Sequence, residues 1–308
     1  MGVLAVYLVL VLPNCGPKRN TSDSNVIPRA VTGYVFVNEI SGKLGSAVLS
    51  RPACMSLDPS GNLIVVDAGN HRLVKVSQSG EFMGEVGGFG FSREQFNSPA
   101  SLATSDRMNL YLLDASNSRI VRLDYDLNWL SEFNLDEIQT DFRVGRGAGL
   151  AVNSFGDIYI SDPENSRVLR LDRDYRLLAE LNELGGFLEP GPIAVDADDN
   201  IYVVNLENSE VVSFDTYDNY SGKVVSDNAK NLTGLWISRD GLLYMADSGT
   251  NSLSIFTLDG TPVYSFGSIG VGEYQFRKLH SVCANDAGML FISDQEGHKI
   301  SVFRPSGP

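Results

Sequence analysis

The chain's only imidazoles are His71, His280 and His298. Three imidazoles suffice to hold a catalytic zinc with one position open. A lone histidine near the ordinary pKa can instead contact a ligand or carry a proton. Four aspartates that end a short apolar run precede a base by five residues: Asp67 with Arg72, Asp114 with Arg119, Asp162 with Arg167, and Asp294 with Lys299. Such pairs offer charge-assisted hydrogen bonds. Asp196-Ala197-Asp198-Asp199-Asn200 supplies the oxygen donors of a calcium loop or, equally, of a hairpin turn. No G-x-S-x-G, Walker-type loop, H-E-x-x-H or C-x-x-C is present, so serine-hydrolase, nucleotide-binding and zincin chemistry have no motif.

These residues are positioned by a repeat. LIVVDAGNHRLVKV (63–76) recurs as LYLLDASNSRIVRL (110–123), IYISDPENSRVLRL (158–171), IYVVNLENSEVVSF (201–214), LYMADSGTNSLSIF (243–256) and LFISDQEGHKISVF (290–303). The anchors Asp67, Asp114, Asp162, Asn205, Asp247 and Asp294 are separated by 47, 48, 43, 42 and 47 residues. Each copy has an apolar segment ending nine residues upstream, such as PACMSLD (52–58), and a fourth downstream, such as EFMGEV (81–86), with short turns between. Four short antiparallel strands at this period make a propeller blade. The expected fold is all-β: six four-stranded blades over residues 33–308. The last repeat has only three strands and YVFVNEI (34–40) has no repeat of its own, so the N-terminal strand is expected to close blade six.

The phrases P-x-x-I-A-V-D, I-Y-V-x-D-x-x-N-x-R and F-G-x-x-G-x-x-x-x-Q-F resemble the NHL-repeat family of β-propellers. The last is carried by Gly87, Gly90, Gln95 and Phe96 and again by Gly267, Gly270, Gln275 and Phe276. Members of that family include zinc-dependent amidoglycolate lyases and RNA-binding proteins. With 24 Lys+Arg against 38 Asp+Glu, a net charge of −14, this chain is not expected to bind nucleic acid.

Recurrence of the Asp–base pairs implies a structural role, so the informative residues break the repeat. One position into the inner strand stand Ala53, Ala100, Ala148, Gly191, Thr233 and His280. Five are small, and His280 is expected to protrude into the channel mouth. His71 and His298 each lie four residues past an anchor, on loops of the same face in the adjacent blades one and six. They read either as metal ligands with His280 or as loop-packing residues. Arg51, Arg143 and Arg146 lie near the channel-side loops, where they are solvated or pair with the acidic excess. Cys54 and Cys283 are two positions out of register for a disulfide, and read as small core residues.

At the N-terminus, ten apolar residues, Val3 to Leu12, precede Cys15 in the arrangement Leu12-Pro13-Asn14-Cys15. This resembles a bacterial lipoprotein signal over residues 1–15, with Cys15 lipidated and residues 16–32 a flexible tether. A cleaved secretory signal and a chance apolar terminus are the alternatives. The leading expectation is an extracytoplasmic, lipid-anchored, monomeric binding or scaffolding propeller without a cofactor. It would engage a protein, peptide or glycan through His280, Arg51 and Thr233. The alternative is a metal-dependent enzyme, lyase-like or lactonase-like, with zinc or calcium near His280.

Overall fold

The computed structural model describes residues 32–105, 109–140, 143–145, 147–182, 189–225 and 229–306. Cys15, the leader and tether to residue 31, and Arg146 lie outside the described residues. Within them the chain forms six four-stranded antiparallel sheets. Blade one runs Pro52–Leu57, Leu63–Asp67, Arg72–Val76 and Phe82–Gly87 from the axis outward. The other five inner strands are Pro99–Ser105, Leu150–Val152, Pro190–Val195, Leu232–Ile237 and Leu279–Ala284. Each inner strand packs against the next around the ring, and the sixth packs against the first. The ring is closed as the unmatched N-terminal segment requires, because Tyr34–Ser41 pairs antiparallel with Lys299–Pro305 as the outermost strand of blade six.

The second strand of every blade is buried along its length, because neighbouring blades cover both of its faces. Such a strand reads as an unbroken apolar run rather than an alternation. Its terminal aspartate, an asparagine in blade four, is buried too, and its oxygens organise the turn that follows. Asp67 accepts from the Ser50 N–H at 2.7 Å, Asn70 Nδ2 at 2.8 Å and Arg72 Nε at 2.8 Å. Asp114 does the same with Asn97 N–H, Asn117 and Arg119, and Asp162 with Gly145 N–H, Asn165 and Arg167. Each arginine then reaches a glutamate on the outer strand: Arg72 to Glu85, Arg119 to Glu132 at 2.7 Å, and Arg167 to Glu180 at 2.9 Å. Blade four exchanges the charges, with Glu210 in the arginine position and Lys223 opposite it at 2.7 Å. In blade six Lys299 stands across the strands from Asp294 and its ammonium pairs with Glu39 of the closing strand at 3.0 Å.

The residue four past each anchor, His71, Ser118, Ser166, Ser209, Asn251 or His298, has φ between 49° and 54°. In three of these places its side chain fastens the next blade. His71 Nδ1 accepts from the Ser98 N–H at 3.1 Å, Asn251 Oδ1 from the Leu279 N–H at 2.9 Å, and His298 Nδ1 from the Arg51 N–H at 3.1 Å. The position therefore selects a short polar side chain that tolerates left-handed backbone and presents an acceptor. The Asp196 run is a hairpin turn. Asp196 Oδ1 accepts from the N–H groups of Asp198 and Asn200, and Asp199 holds Ser154 of blade three.

Candidate functional site

The inner strands line an axial channel that widens into a cavity at each end. The cavity where the inner strands begin has a volume of about 910 Å³. That lies within the range of small-molecule and chain-end sites. A second, of about 1010 Å³, opens at the far end between the hairpin turns. Ser56, Thr104, Trp236 and Ile237 border both, so they form the waist between them.

Five inner strands slip in register just after their first residue, at Pro52/Met55, Pro99/Ser101, Pro190/Ile193, Leu232/Gly234 and Leu279/Ser281. Such bulges re-aim a side chain. In blade six the re-aimed residue is His280, which lines the first cavity, as do Arg51 and Thr233. The His280 Nδ1 is buried without a hydrogen-bond partner among the described residues. Burial, with the positive charges of Lys278 and Arg51 beside it, pushes the imidazole down to about 4. The ring is thus neutral at physiological pH. The Thr233 hydroxyl donates to the Leu279 carbonyl at 3.3 Å, tying blade five to blade six, and so presents a wall rather than a free hydroxyl. Arg51, at φ 52°, is exposed at the rim.

A second break from the repeat lies three residues further along the inner strand, where Ser56, Ala103, Ala151, Ala194, Trp236 and Cys283 align. Five are small and one is an indole. Trp236 meets Tyr244 edge-on at 5.1 Å between ring centroids and floors the cavity that His280 walls. It was legible in the alignment that exposed His280, but only at a different offset.

The three histidines do not converge. His71 borders the cavity, but its Nδ1 and that of His298 accept backbone N–H groups. Among the described residues no group of three or more His, Cys, Asp or Glu is placed to hold a metal ion. His71 and His298 thus act as interblade fasteners through Nδ1, and His280 is the one of the three whose buried Nδ1 has no partner among the described residues. Cys54 and Cys283 are free thiols, and burial raises the pKa of both. Arg143 is bidentate on Asp136 at 2.7 Å, on the surface.

His280 gives the fold a distinctive acid response. The unfolded imidazole titrates near 6.5, and the folded one at about 4. In that window the unfolded chain takes up a proton that the folded chain refuses, so stability falls as pH drops. The loss is at most about 3 kcal/mol. Wild type should lose several degrees more in melting temperature between pH 7 and pH 4.5 than His280→Gln. Carboxylates common to both cancel in the comparison, and equal pH slopes would refute the assignment.

Residues 49–76, from the approach to the first inner strand through the third strand of blade one, match the NHL repeat. No curated protein matches the chain's sequence. A streptogramin B lyase superposes with a TM-score of 0.61 at 14% identity, over 88% of this chain and 90% of that one. A catalytically inactive virginiamycin B lyase from Staphylococcus aureus with quinupristin gives 0.61 at 13% identity, over 88% and 84%. A protein of unknown function from Bacteroides thetaiotaomicron gives 0.67 at 17% identity, over 87% and 73%. At these identities the likeness is one of fold. With its ring of six blades and the match in blade one, the chain is a six-bladed β-propeller carrying an NHL repeat.

Proposed function

We propose that the protein is a binding propeller whose ligand, a protein, peptide or glycan, engages the face on which the His280 cavity opens. The observation that carries this reading is that the two inner-strand breaks from six-fold repetition, His280 and Trp236, border one cavity. The surrounding loops favour a larger partner. Phe89 and Phe91, 63% and 71% exposed, continue edge-to-face from His71. The equivalent loop before blade six carries Ile269 and Val271, 73% and 69% exposed. Exposed apolar loop tips near a pocket of mixed polar and apolar lining are the composition of an interaction face.

A lipid on Cys15 fits this reading. Thr32 donates to the Ser306 carbonyl and Tyr34 borders the second cavity, so the chain joins the ring at the end opposite His280. A membrane anchor upstream would attach on the face opposite the His280 cavity and leave that cavity unobstructed. A metal-dependent lyase is the second reading, favoured by the same orphaned His280 nitrogen in a pocket.

Peptide and glycan arrays probed with wild type and with Trp236→Ala test the binding reading, with melting curves recorded for both. Discrete ligands bound by wild type and weakened at least tenfold in a folded Trp236→Ala protein are expected. Ligands that bind the variant equally well would overturn the proposal.

A further inference from the structure

Resting on the reading of this cavity as the ligand site, we infer that the part of the ligand inserted there is an oxyanion, held between His280 and Arg51, with the charge of Lys278 behind them. The chain is strongly acidic, and the fully buried bases Arg72, Arg119, Arg167 and Lys75 each meet at least one carboxylate. Arg51 and Lys278 form no ion pair among the described residues; Arg51 lines the cavity with His280, Lys278 stands two residues before the ring, and both charges add to the burial that keeps the ring neutral. Asp294 is spent on the backbone N–H groups of Arg277 and Lys278 at 3.0 and 2.9 Å, and Asp67 on that of Ser50, beside Arg51, at 2.7 Å. Blade six adds an exposed acid, Glu296, while the exposed Glu189 and Glu207 belong to blade four. The positive side of the mouth is therefore where blades six and one meet, directly around the half-buried imidazole.

A cation facing a cavity without a counterion, beside a buried ring nitrogen without a partner, is the inverse image of an anionic group. A bound carboxylate or phosphate would offset both positive charges and accept from the imidazole N–H. The guanidinium of Arg51 suits a planar, two-oxygen acceptor, and Lys278 adds a point charge. Small residues on this and the nearby inner strands, Ser281, Ala53, Cys54 and Ser101, leave room for the group to reach the ring.

The test uses the His280 ring resonances of the full chain, assigned with His280→Gln, at constant ionic strength. Sodium benzoate, inorganic phosphate and neutral benzamide are the probes. Benzoate or phosphate should shift the resonances saturably, with half-saturation raised at least fivefold in Arg51→Gln and in Lys278→Gln. Both substitutions are at accessible side chains, and melting curves verify their folding. Benzoate responding alone assigns a carboxylate, and phosphate responding more tightly assigns a phosphoryl group. Benzamide acting as well as benzoate would leave a ligand cavity but overturn the oxyanion. No saturable shift with any probe, while array ligands still depend on Trp236, would likewise overturn this inference alone.

Discussion

Removing residues 33–41 is expected to lower the melting temperature by more than about 10 °C, or to abolish a cooperative transition. The segment supplies the whole outer strand of blade six, paired from Tyr34 with Pro305 to Ser41 with Lys299. Tyr34 and Ile40 are buried, and each contributes roughly 1.5–3 kcal/mol of apolar burial. Phe36 meets Phe303 edge-on at 5.7 Å, its N–H donates to the Tyr274 hydroxyl, and that hydroxyl donates to the Tyr34 carbonyl. Glu39 is the counterion of Lys299. Together these terms approach the 5–15 kcal/mol that ordinarily separates folded from unfolded protein. The truncated ring also exposes the edge of Lys299–Pro305, a template for pairing with other chains. Light scattering should therefore show concentration-dependent association. Ile40→Ala separates local packing from closure: it should cost about 2–5 kcal/mol and leave the protein monomeric. A deleted protein that melts within about 2 °C of wild type would refute closure by this strand.

The sequence made this strand visible because the repeat was one strand short at its end and one long at its start. Six anchors were equally plain, since a strand buried on both faces must be apolar throughout and its buried terminal aspartate must be satisfied. What stayed hidden were contacts that cross between blades. His71 reaches Ser98, Asn251 reaches Leu279, and His298 reaches Arg51 through the ring closure. Spacings of 27 and 28 residues, and of 247 across the closure, match no local period, so the backbone groups that His71 and His298 fasten could not be read from their loops. Asn251 at the same position was the available clue, because asparagine can perform that task and rarely ligates a metal. The outer-strand glutamates were also legible. Glu85, Glu132 and Glu180 each follow their arginine by 13 residues, and blade four shows Glu210 followed by Lys223 at the same interval. Blade four thus does not lack the pairing but inverts it, which also explains Asn205. A second carboxylate there would face Glu210, whose Oε1 lies 3.4 Å from Asn205 Nδ2.

Asp114→Ala should cost about 3–5 kcal/mol, the range for breaking a buried ion pair, even though Arg119 keeps Glu132 on the outer strand. The carboxylate is fully buried, and Arg119, which it holds at 2.9 Å, is nearly so. Burial lifts the Asp114 carboxyl above the usual carboxylate range despite Arg119, Asn117 and the Asn97 N–H, so desolvation outweighs the attraction of its partners. The pair is accordingly a weak stabiliser as a whole and a costly one to halve. Arg119→Met alone should be less harmful than Asp114→Ala, because the remaining carboxyl can keep the Asn97 and Asn117 hydrogen bonds and protonate. The double variant Asp114→Ala/Arg119→Met should recover part of the single aspartate loss, with the Asn97 N–H left unsatisfied at about 1–3 kcal/mol. Chemical denaturation of the four proteins completes the cycle. A double variant as unstable as the sum of the singles would show that the buried pair contributes no coupling, and that the repeated Asp–Arg signature serves only the turn. Blade four offers the complementary experiment. Asn205→Asp should destabilise by placing like charges together, and adding Glu210→Arg with Lys223→Glu should restore stability by recreating the arrangement of blade two.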